Sequence, residues 1–373
     1  MSRTPPVFVE HGPGGRPAAF RDLREVVAAR DVAEVVPALL RLDAARAAGA
    51  WVAGWIAYEA GAAFEPRLSG VARGGGPLLA FGVFDGPEEP RLEAPGPVAL
   101  SRPEPMVARA DYDRAIERVL GYIAAGDCYQ VNLTFPLEAR LSGDPWDLYL
   151  RLRGEEPVGH GAYVDLGVAP AVVSLSPELF FRVSSEGRIE ARPMKGTAPR
   201  DADPARDAAL AAELRASEKA RAENLMIVDL LRNDIGRISR AGSVHVPALY
   251  AMERYETVHQ MTSTVAGTLA EPAALARLMP ALFPCGSVTG APKIRAMQVI
   301  REVEPFARGV YCGAVGWMAP DGSCDFSVAI RTLTVEGERV TLNVGGGIVA
   351  DSTAEGEWEE ALWKTRFVGP ALG

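Results

Sequence analysis

A lysine set before a Gly-Thr pair is either a solvated ammonium or an amine aimed into a site. Lys195, in Arg192-Pro193-Met194-Lys195-Gly196-Thr197, is such a lysine. Most lysines are solvated, so by itself it carries the surface reading. Other residues of reactive type bear on that balance. Glu223 precedes Ile227 and Leu230 by four and seven positions, which on a helix puts its carboxylate on the face due for burial. A buried carboxylate needs a cation or a raised pKa, and a salt bridge to Arg221 or Arg232 is the ordinary way to supply one. Glu357, Glu360 and Lys364 share a second helical face at i, i+3 and i+7. Two carboxylates on one face repel unless a cation lies between them, and oxygen-only ligands suit Mg²⁺; a solvated face paired with Lys364 is the plainer alternative. Arg331 interrupts an apolar run at 326–333. Pointing inward it would clasp a carboxylate in a two-pronged fork, and pointing outward with Ser327 it would meet water. Gly345-Gly346-Gly347, and the segment from Gly286 to Lys293 that opens a helix at Pro292, offer either anion-binding nests of N–H groups or ordinary tight turns.

The elements that must hold these groups are legible in outline. Residues 7–10 read as a short strand, 20–49 as an Ala-rich helical stretch, and 51–58 and 78–84 as apolar strand-like runs. Residues 86–105 carry six prolines and read as a linker that crosses a surface. The expected organisation is an N-terminal region with its linker over 1–105, packed onto a catalytic unit over 106–373. Within that unit Asp111 is placed to cap a helix ending near Gly126. Strands are expected at 161–166, 171–175, 179–183, 310–318, 326–335 and 339–344. Lys195 falls between a strand end at 188–191 and a turn at Gly196 and Pro199. Helices are expected from Ser217 to about Asp234 and over 354–368. Strands and helices fall in groups, which predicts an α+β fold with large antiparallel sheets.

Composition narrows the function. The formal charge of −9 argues against a nucleic-acid partner, which would need a basic face, but not against a small anionic substrate in a local basic pocket. Cys128, Cys285, Cys312 and Cys324 are widely spaced, and with only four histidines a zinc site is not expected. Free thiols fit a reducing cytosol. There is no apolar signal core at the start and no uncharged apolar run near the ~18 residues of a membrane span, so a cytoplasmic, membrane-free protein is expected.

Taken together, these segments resemble the chorismate-utilising enzymes, a family that includes anthranilate, aminodeoxychorismate, isochorismate and salicylate synthases. The resemblance is strong over 106–373. It is carried by Gly126-Asp127-Cys128-Tyr129-Gln130-Val131-Asn132-Leu133, Ser176-Pro177-Glu178, Arg192 to Arg200, Ala222 to Asp234, Gly286 to Lys293, and Gly345 to Asp351. It implies two large antiparallel sheets packed together, with helices outside and the active site in a central cleft. Gln130 occupies the place where the isochorismate and salicylate synthases have a water-activating lysine, which argues against water as nucleophile. Lys195 occupies the place where anthranilate synthases usually have alanine, and the Pro-x-Lys-Gly-Thr setting looks like the aminodeoxychorismate synthase branch. Glu156-Pro157 stands where an Asn-Pro turn is usual.

The resemblance also implies roles. Glu223, Glu357 and Glu360 would hold Mg²⁺, which binds the ring carboxylate of chorismate, with Lys364 supporting that end. Arg331 and Tyr311 would take the enolpyruvyl carboxylate. The backbone of Gly345, Gly346, Gly347, Gly290 and Ala291 would help hold the carboxylates, and Thr289 and His259 would line the pocket. Lys195 would be the nucleophile and Glu178 the general acid. Ammonia would come from a separate glutamine amidotransferase subunit, and a separate aminodeoxychorismate lyase would act on the product. The alternatives are an anthranilate synthase component, or a subunit that binds chorismate without turning it over.

Overall fold

Runs such as Val172-Val173 and Phe180-Phe181 are wholly buried, as expected of strands covered on both faces. The computed structural model describes residues 3–70, 76–155, 157, 159–255 and 258–373; Glu156 of the atypical Glu-Pro turn lies outside them. The strands form two antiparallel sheets. The first runs, in spatial order, Gly290–Ala291, Gln130–Ser142, Arg339–Ile348, Thr332–Glu336, Ala171–Ser176, His160–Val164, Val7–Val9, Ala18–Phe20 and Pro87–Glu88. The second runs Met194–Pro199, Val258–Thr268, Arg188–Ala191, Leu179–Val183, Cys324–Val328, Ala314–Met318, Trp51–Ile56, Leu79–Phe84 and Leu23–Ala29, with His245–Arg254 also paired to Val258–Thr268.

Among the described residues there are eight α-helices: α1 (Val32–Ala47), α2 (Arg109–Ala124), α3 (Pro145–Arg153), α4 (Pro204–Ala216), α5 (Glu218–Gly236), α6 (Leu275–Leu282), α7 (Lys293–Val303) and α8 (Ala354–Trp363). Helices α2, α7 and α8 lie on the first sheet at Gln130–Ser142 and Arg339–Ile348, whereas α4 and α5 lie on the second at Met194–Pro199 and Val258–Thr268. Local signals set the helix starts that matter for the site. The Ser217 side chain accepts the Ala220 N–H at the start of α5, and Thr353 accepts the Gly356 N–H at the start of α8. Helix α2 is capped at Ala108, so Asp111 falls inside its first turn instead of capping it.

Three expectations change. The Ala-rich stretch at 20–49 is helical only from Val32, because Leu23–Ala29 pairs with Leu79–Phe84 as a strand. The run at 326–335 is broken: Cys324–Val328 belongs to the second sheet and Thr332–Glu336 to the first, with the chain crossing between them at 329–331. Lys195 lies on a strand, Met194–Pro199, and not beside a turn. The linker does run along a surface, with Ala99–Leu100 and Glu104–Pro105 pairing along Gln130–Ser142. Position 105 is not a break between cores. Val7–Val9 pairs with His160–Val164 and Trp51–Ile56 pairs with Ala314–Met318, so the N-terminal region supplies interior strands to both sheets. Among the described residues no helix is long and apolar enough to cross a membrane.

Candidate active site

The first group is set by the two places where the chain passes between sheets. Pro177-Glu178 links Ala171–Ser176 to Leu179–Val183, and residues 329–331 make the return crossing. The crossings are tied to each other. The Val328 N–H donates to the Glu178 carbonyl at 3.1 Å, the Leu175 N–H to the Arg331 carbonyl at 3.0 Å, and the Ser176 hydroxyl to the Val328 carbonyl at 2.6 Å. Glu178 and Arg331 are therefore held together between the sheets. Arg331 adopts φ 50°, a left-handed conformation unusual for an arginine.

Glu178 is 4% exposed and its Oε1 has no hydrogen-bond partner. Burial pushes its carboxyl up to about 7, against the pull of the Ser287 hydroxyl and of the Lys195 and Arg331 charges. A carboxylic acid kept protonated near neutrality is suited to donate a proton. The Arg331 guanidinium makes no hydrogen bond or ion pair with any described residue; burial lowers its pKa, and Tyr255 and Glu178 are its electrostatic neighbours. Its five donors remain available to an anion.

Lys195 is aimed by a β-bulge. The pairing of Met194–Pro199 with Val258–Thr268 shifts register between Met194 and Thr197, and Gly196 takes φ 88°. Such a bulge redirects the intervening side chain. The ammonium ends against the first sheet, where a Cβ added to Gly347 would lie 3.2 Å from Lys195 Nζ and 2.7 Å from Gln130 Nε2. Burial lowers the Lys195 pKa, with Glu223, Glu178 and Glu360 opposing the shift and Lys364 adding to it. A lysine shifted this way gains neutral, nucleophilic amine at physiological pH.

The carboxylates gather at the other end. Glu223 on α5 and Glu357 on α8 are both raised chiefly by burial, and each feels the charge of Glu360. Glu360 is lowered, mainly by Lys364, whose Nζ bonds Glu360 Oε1 at 2.9 Å and the Gly345 carbonyl at 2.7 Å. Glu357 accepts from the Ser352 hydroxyl at 2.6 Å. Among the described residues no three acidic, His or Cys side chains converge tightly enough to hold a metal. Three carboxylates are the oxygen-donor chemistry that Mg²⁺ takes, and the missing side chain of Gly346, whose Cβ would lie 2.8 Å from Glu357 Oε2, 3.6 Å from Lys364 Nζ and 3.8 Å from Glu360 Oε1, leaves two of them unobstructed. The Lys364 ammonium already acts as a counter-cation there.

Several expected residues serve differently. The three glycines form no left-handed nest. They lie within the strand Arg339–Ile348, opposite Thr134, Leu133 and Asn132, and their value is the missing side chain. Gly290, at φ 136°, presses against the Gln130 carbonyl, and Ala291 pairs with Gln130. The Thr289 hydroxyl is spent on the Cys285 and Gly286 carbonyls at 3.1 and 3.2 Å. Tyr311 is buried beside Cys312, Arg308 and Glu304, and burial raises its pKa. His259 is a correction: its Nε2 meets Asp207 Oδ1 of α4 at 2.8 Å, a hydrogen-bond partner outside the cleft. The alternation of the strand gives the opposite face to Gln260, which bonds the Gly196 carbonyl and Thr197 beside Lys195.

Two features have no spacing signal. Glu253 accepts from Arg192, from Thr262 at 2.9 Å and from Tyr255 at 2.8 Å, building a wall near Arg331. Gln130, a departure from the lysine of other family members, is fully buried with both amide atoms unpartnered.

The chain is similar to known proteins along most of its length. The family model for chorismate binding enzymes matches residues 87–369. The Escherichia coli protein named aminodeoxychorismate synthase component 1 is 45% identical over 262 residues, covering 70% of this chain and 57% of that protein. Anthranilate synthase component 1 of Streptomyces coelicolor is 44% identical over 267 residues, 71% of this chain and 52% of its own length. The chain thus spans little more than half of these relatives. The crystal structure of anthranilate synthase component I from Streptococcus pneumoniae superposes with a TM-score of 0.74 at 30% identity, covering 86% of this chain and 80% of that one. A family match across most of the chain, on two antiparallel sheets that bring an amine, an acid and a free guanidinium together, makes the chain a member of the chorismate-binding enzyme family.

Proposed function

We propose that the chain aminates chorismate at C4 to give 4-amino-4-deoxychorismate. The carrying observation is Lys195, a half-buried amine of lowered pKa aimed at the Gln130–Gly347 surface, set near a Glu178 carboxyl held protonated near neutrality. The neutral Lys195 amine forms a bond to ring C2. Both ring double bonds shift, and the C4–O bond breaks as Glu178 gives its proton to the departing hydroxyl, which leaves as water. The proton shed by the new ammonium restores Glu178. Ammonia then bonds to C4, the double bonds return, and the C2–Lys195 bond breaks as Glu178 gives its proton to the leaving lysine amine; the proton shed by the new C4 ammonium restores Glu178 again. Chorismate and ammonia become aminodeoxychorismate and water. Arg331 binds the enolpyruvyl carboxylate, which the reaction leaves intact. Glu223, Glu357 and Glu360 would hold Mg²⁺, whose charge offsets the ring carboxylate.

A separate glutamine amidotransferase supplies the ammonia in this reading, and a separate lyase takes the product to 4-aminobenzoate. Four buried free thiols favour a cytoplasmic setting. The similarity to anthranilate synthase keeps C2 amination as the second reading.

The test is product analysis of the purified chain with chorismate, Mg²⁺ and excess ammonium at mildly alkaline pH. The expected product is one that the lyase converts to 4-aminobenzoate, with turnover reduced roughly 10³-fold or more in Lys195→Ala. Anthranilate, formed equally well by Lys195→Ala, would overturn the assignment.

A further inference from the structure

The bulge that aims Lys195 is held from the neighbouring strand by a side chain. Met194 pairs with Thr262 and Thr197 with Gln260, so Lys195 and Gly196 together stand opposite the single residue Met261. A bulge of this kind interrupts the ladder and leaves its extra residue unpaired. Gln260, 7% exposed, spans the interruption: its Nε2 donates to the Gly196 carbonyl at 2.8 Å, and its Oε1 accepts from the Thr197 hydroxyl at 2.8 Å. A carboxamide can donate and accept at once, which neither a carboxylate nor an apolar side chain of the same length can do. The other end of the bulge is tied by the Ser263 N–H, which donates to the Pro193 carbonyl at 3.1 Å. Gly196 itself lies against α4 and α5, where an added Cβ would be 3.0 Å from Ala220 Cβ and 3.1 Å from Leu214 Cδ1.

Lys195 depends on this support more than the other lysines do. Lys219 is paired with Asp351 at 2.9 Å, Lys293 with Asp234 at 2.6 Å and Lys364 with Glu360 at 2.9 Å. Lys195 has no ion pair or hydrogen bond with any described residue, so no carboxylate fixes where its flexible four-carbon stem ends. Its direction is set by the backbone at the bulge.

We propose that Gln260, acting through Gly196 and Thr197, is the positioning residue for the Lys195 amine. The inference rests on the amination reading for its effect on turnover, whereas its effect on the amine itself holds whatever the reaction.

The test uses the full chain and three variants. Gln260→Met keeps the length of the side chain and loses both bonds, Thr197→Val loses one, and Thr197→Ser keeps the hydroxyl. Trace acetic anhydride labels the lysines over a series of pH values, and mass spectrometry reads each one, with Lys219, Lys293 and Lys364 as internal references. In Gln260→Met the midpoint of Lys195 labelling is expected to rise by about one pH unit or more, as the amine leaves its place between the sheets, while the references stay fixed. The kcat is expected to fall roughly tenfold to a hundredfold, and the KM for chorismate to change by less than about threefold, because Arg331 and the three carboxylates are untouched. Thr197→Val should show a smaller change in the same direction, and Thr197→Ser none. An unmoved Lys195 midpoint in a folded Gln260→Met chain would overturn the proposal. So would a loss confined to KM. If Gln260→Met does not fold, the Thr197 pair decides, and equal Lys195 midpoints in Thr197→Val and Thr197→Ser would count against the clamp. Labelling that shifts as expected, in a chain that does not aminate chorismate even with ammonium, would uphold the clamp and sink the amination reading instead.

Discussion

Two buried polar clusters in this molecule hold similar charges and treat them in opposite ways. Around Arg308 every charged group is matched, although the buried Tyr58 hydroxyl beside its guanidinium has no partner. Its guanidinium bonds both Glu304 oxygens at 2.7 and 2.9 Å and the carbonyls of Val288 and Asn132 at 3.0 and 2.6 Å. Glu59 accepts the N–H groups of Arg308 and Gly309 at 2.7 and 3.1 Å. In the cleft, Arg331 has no such bond, one oxygen of Glu178 is orphaned, and Gln130 is orphaned at both atoms. Both clusters draw on one strand, with Thr134 bonding Glu304 and Gln130 facing Lys195. Burial pushes Glu59 and Glu178 alike to about 7. The shift therefore does not tell the two apart, whereas the partners of the arginine do: the Arg308 guanidinium is matched by Glu304 and two carbonyls, and the Arg331 guanidinium has no anion. Unsatisfied buried groups cost stability, so their concentration in one place marks a site kept ready for a ligand.

The largest contrast should appear when each arginine is removed. Arg308→Met leaves Glu304 and Glu59 buried without their cation and should cost about 3–5 kcal/mol of unfolding free energy. Arg331→Met removes an unpaired buried charge and should change stability by less than about 1 kcal/mol, or raise it, while increasing the KM for chorismate tenfold or more. Urea denaturation of both variants measures the difference. Similar losses in the two would mean that Arg331 has a structural role and that the contrast between the clusters is mistaken.

A smaller effect belongs to Glu178 and has a definite sign. Its carboxyl ionises near 4.5 when unfolded and near 7 when folded. Between those values the folded state holds the extra proton, so stability falls as pH rises from about 4.5 to about 7 and stays lower above. Glu178→Gln should abolish this fall and leave the protein more stable at pH 8 by about 3 kcal/mol, at 1.36 kcal/mol per unit. Turnover should drop about 10²–10⁴-fold, the usual worth of a positioned acid. The alkaline decline of kcat/KM, corrected for free ammonia, should vanish with the carboxyl. A more stable, inactive variant is the outcome expected of a group retained for chemistry. A variant of unchanged stability at pH 8 would place the acid elsewhere.

What could be read in advance followed local rules. The cap at Ser217 and the spacing of Glu357, Glu360 and Lys364 depend on residues within two helical turns, and α5 and α8 form where those signals sit. The bulge that aims Lys195 depends on pairing with a strand more than sixty residues away, and the break at 329–331 depends on which sheet each half joins. Neither has a signature in its own segment. His259 shows the cost of a one-residue ambiguity on a strand, since its neighbour Gln260 takes the opposite face. The resemblance of motifs named the candidate residues, but the difference in partners that separates Arg331 from Arg308 exists only in three dimensions.

The three glycines of Arg339–Ile348 divide along the same line, and here the expected effects on folding are smallest. A Cβ at Gly345 would drive into the Leu133 backbone carbonyl, which has nowhere to go. Gly345→Ala should therefore cost about 1–3 kcal/mol, the usual penalty for overpacking. At Gly347 the obstacles are the ends of two side chains, Gln130 Nε2 at 2.7 Å and Lys195 Nζ at 3.2 Å. These can move, so Gly347→Ala should cost less than about 1 kcal/mol. The movement is the informative part, because the displaced groups are the nucleophile and the amide beside it. Gly347→Ala should keep its thermal midpoint and lose kcat, with chorismate affinity less affected because Arg331 is untouched. If its kcat matched the unaltered chain, Lys195 would not need the position it occupies against the first sheet, and the distinction between a completed cluster and a waiting one would lose its strongest support.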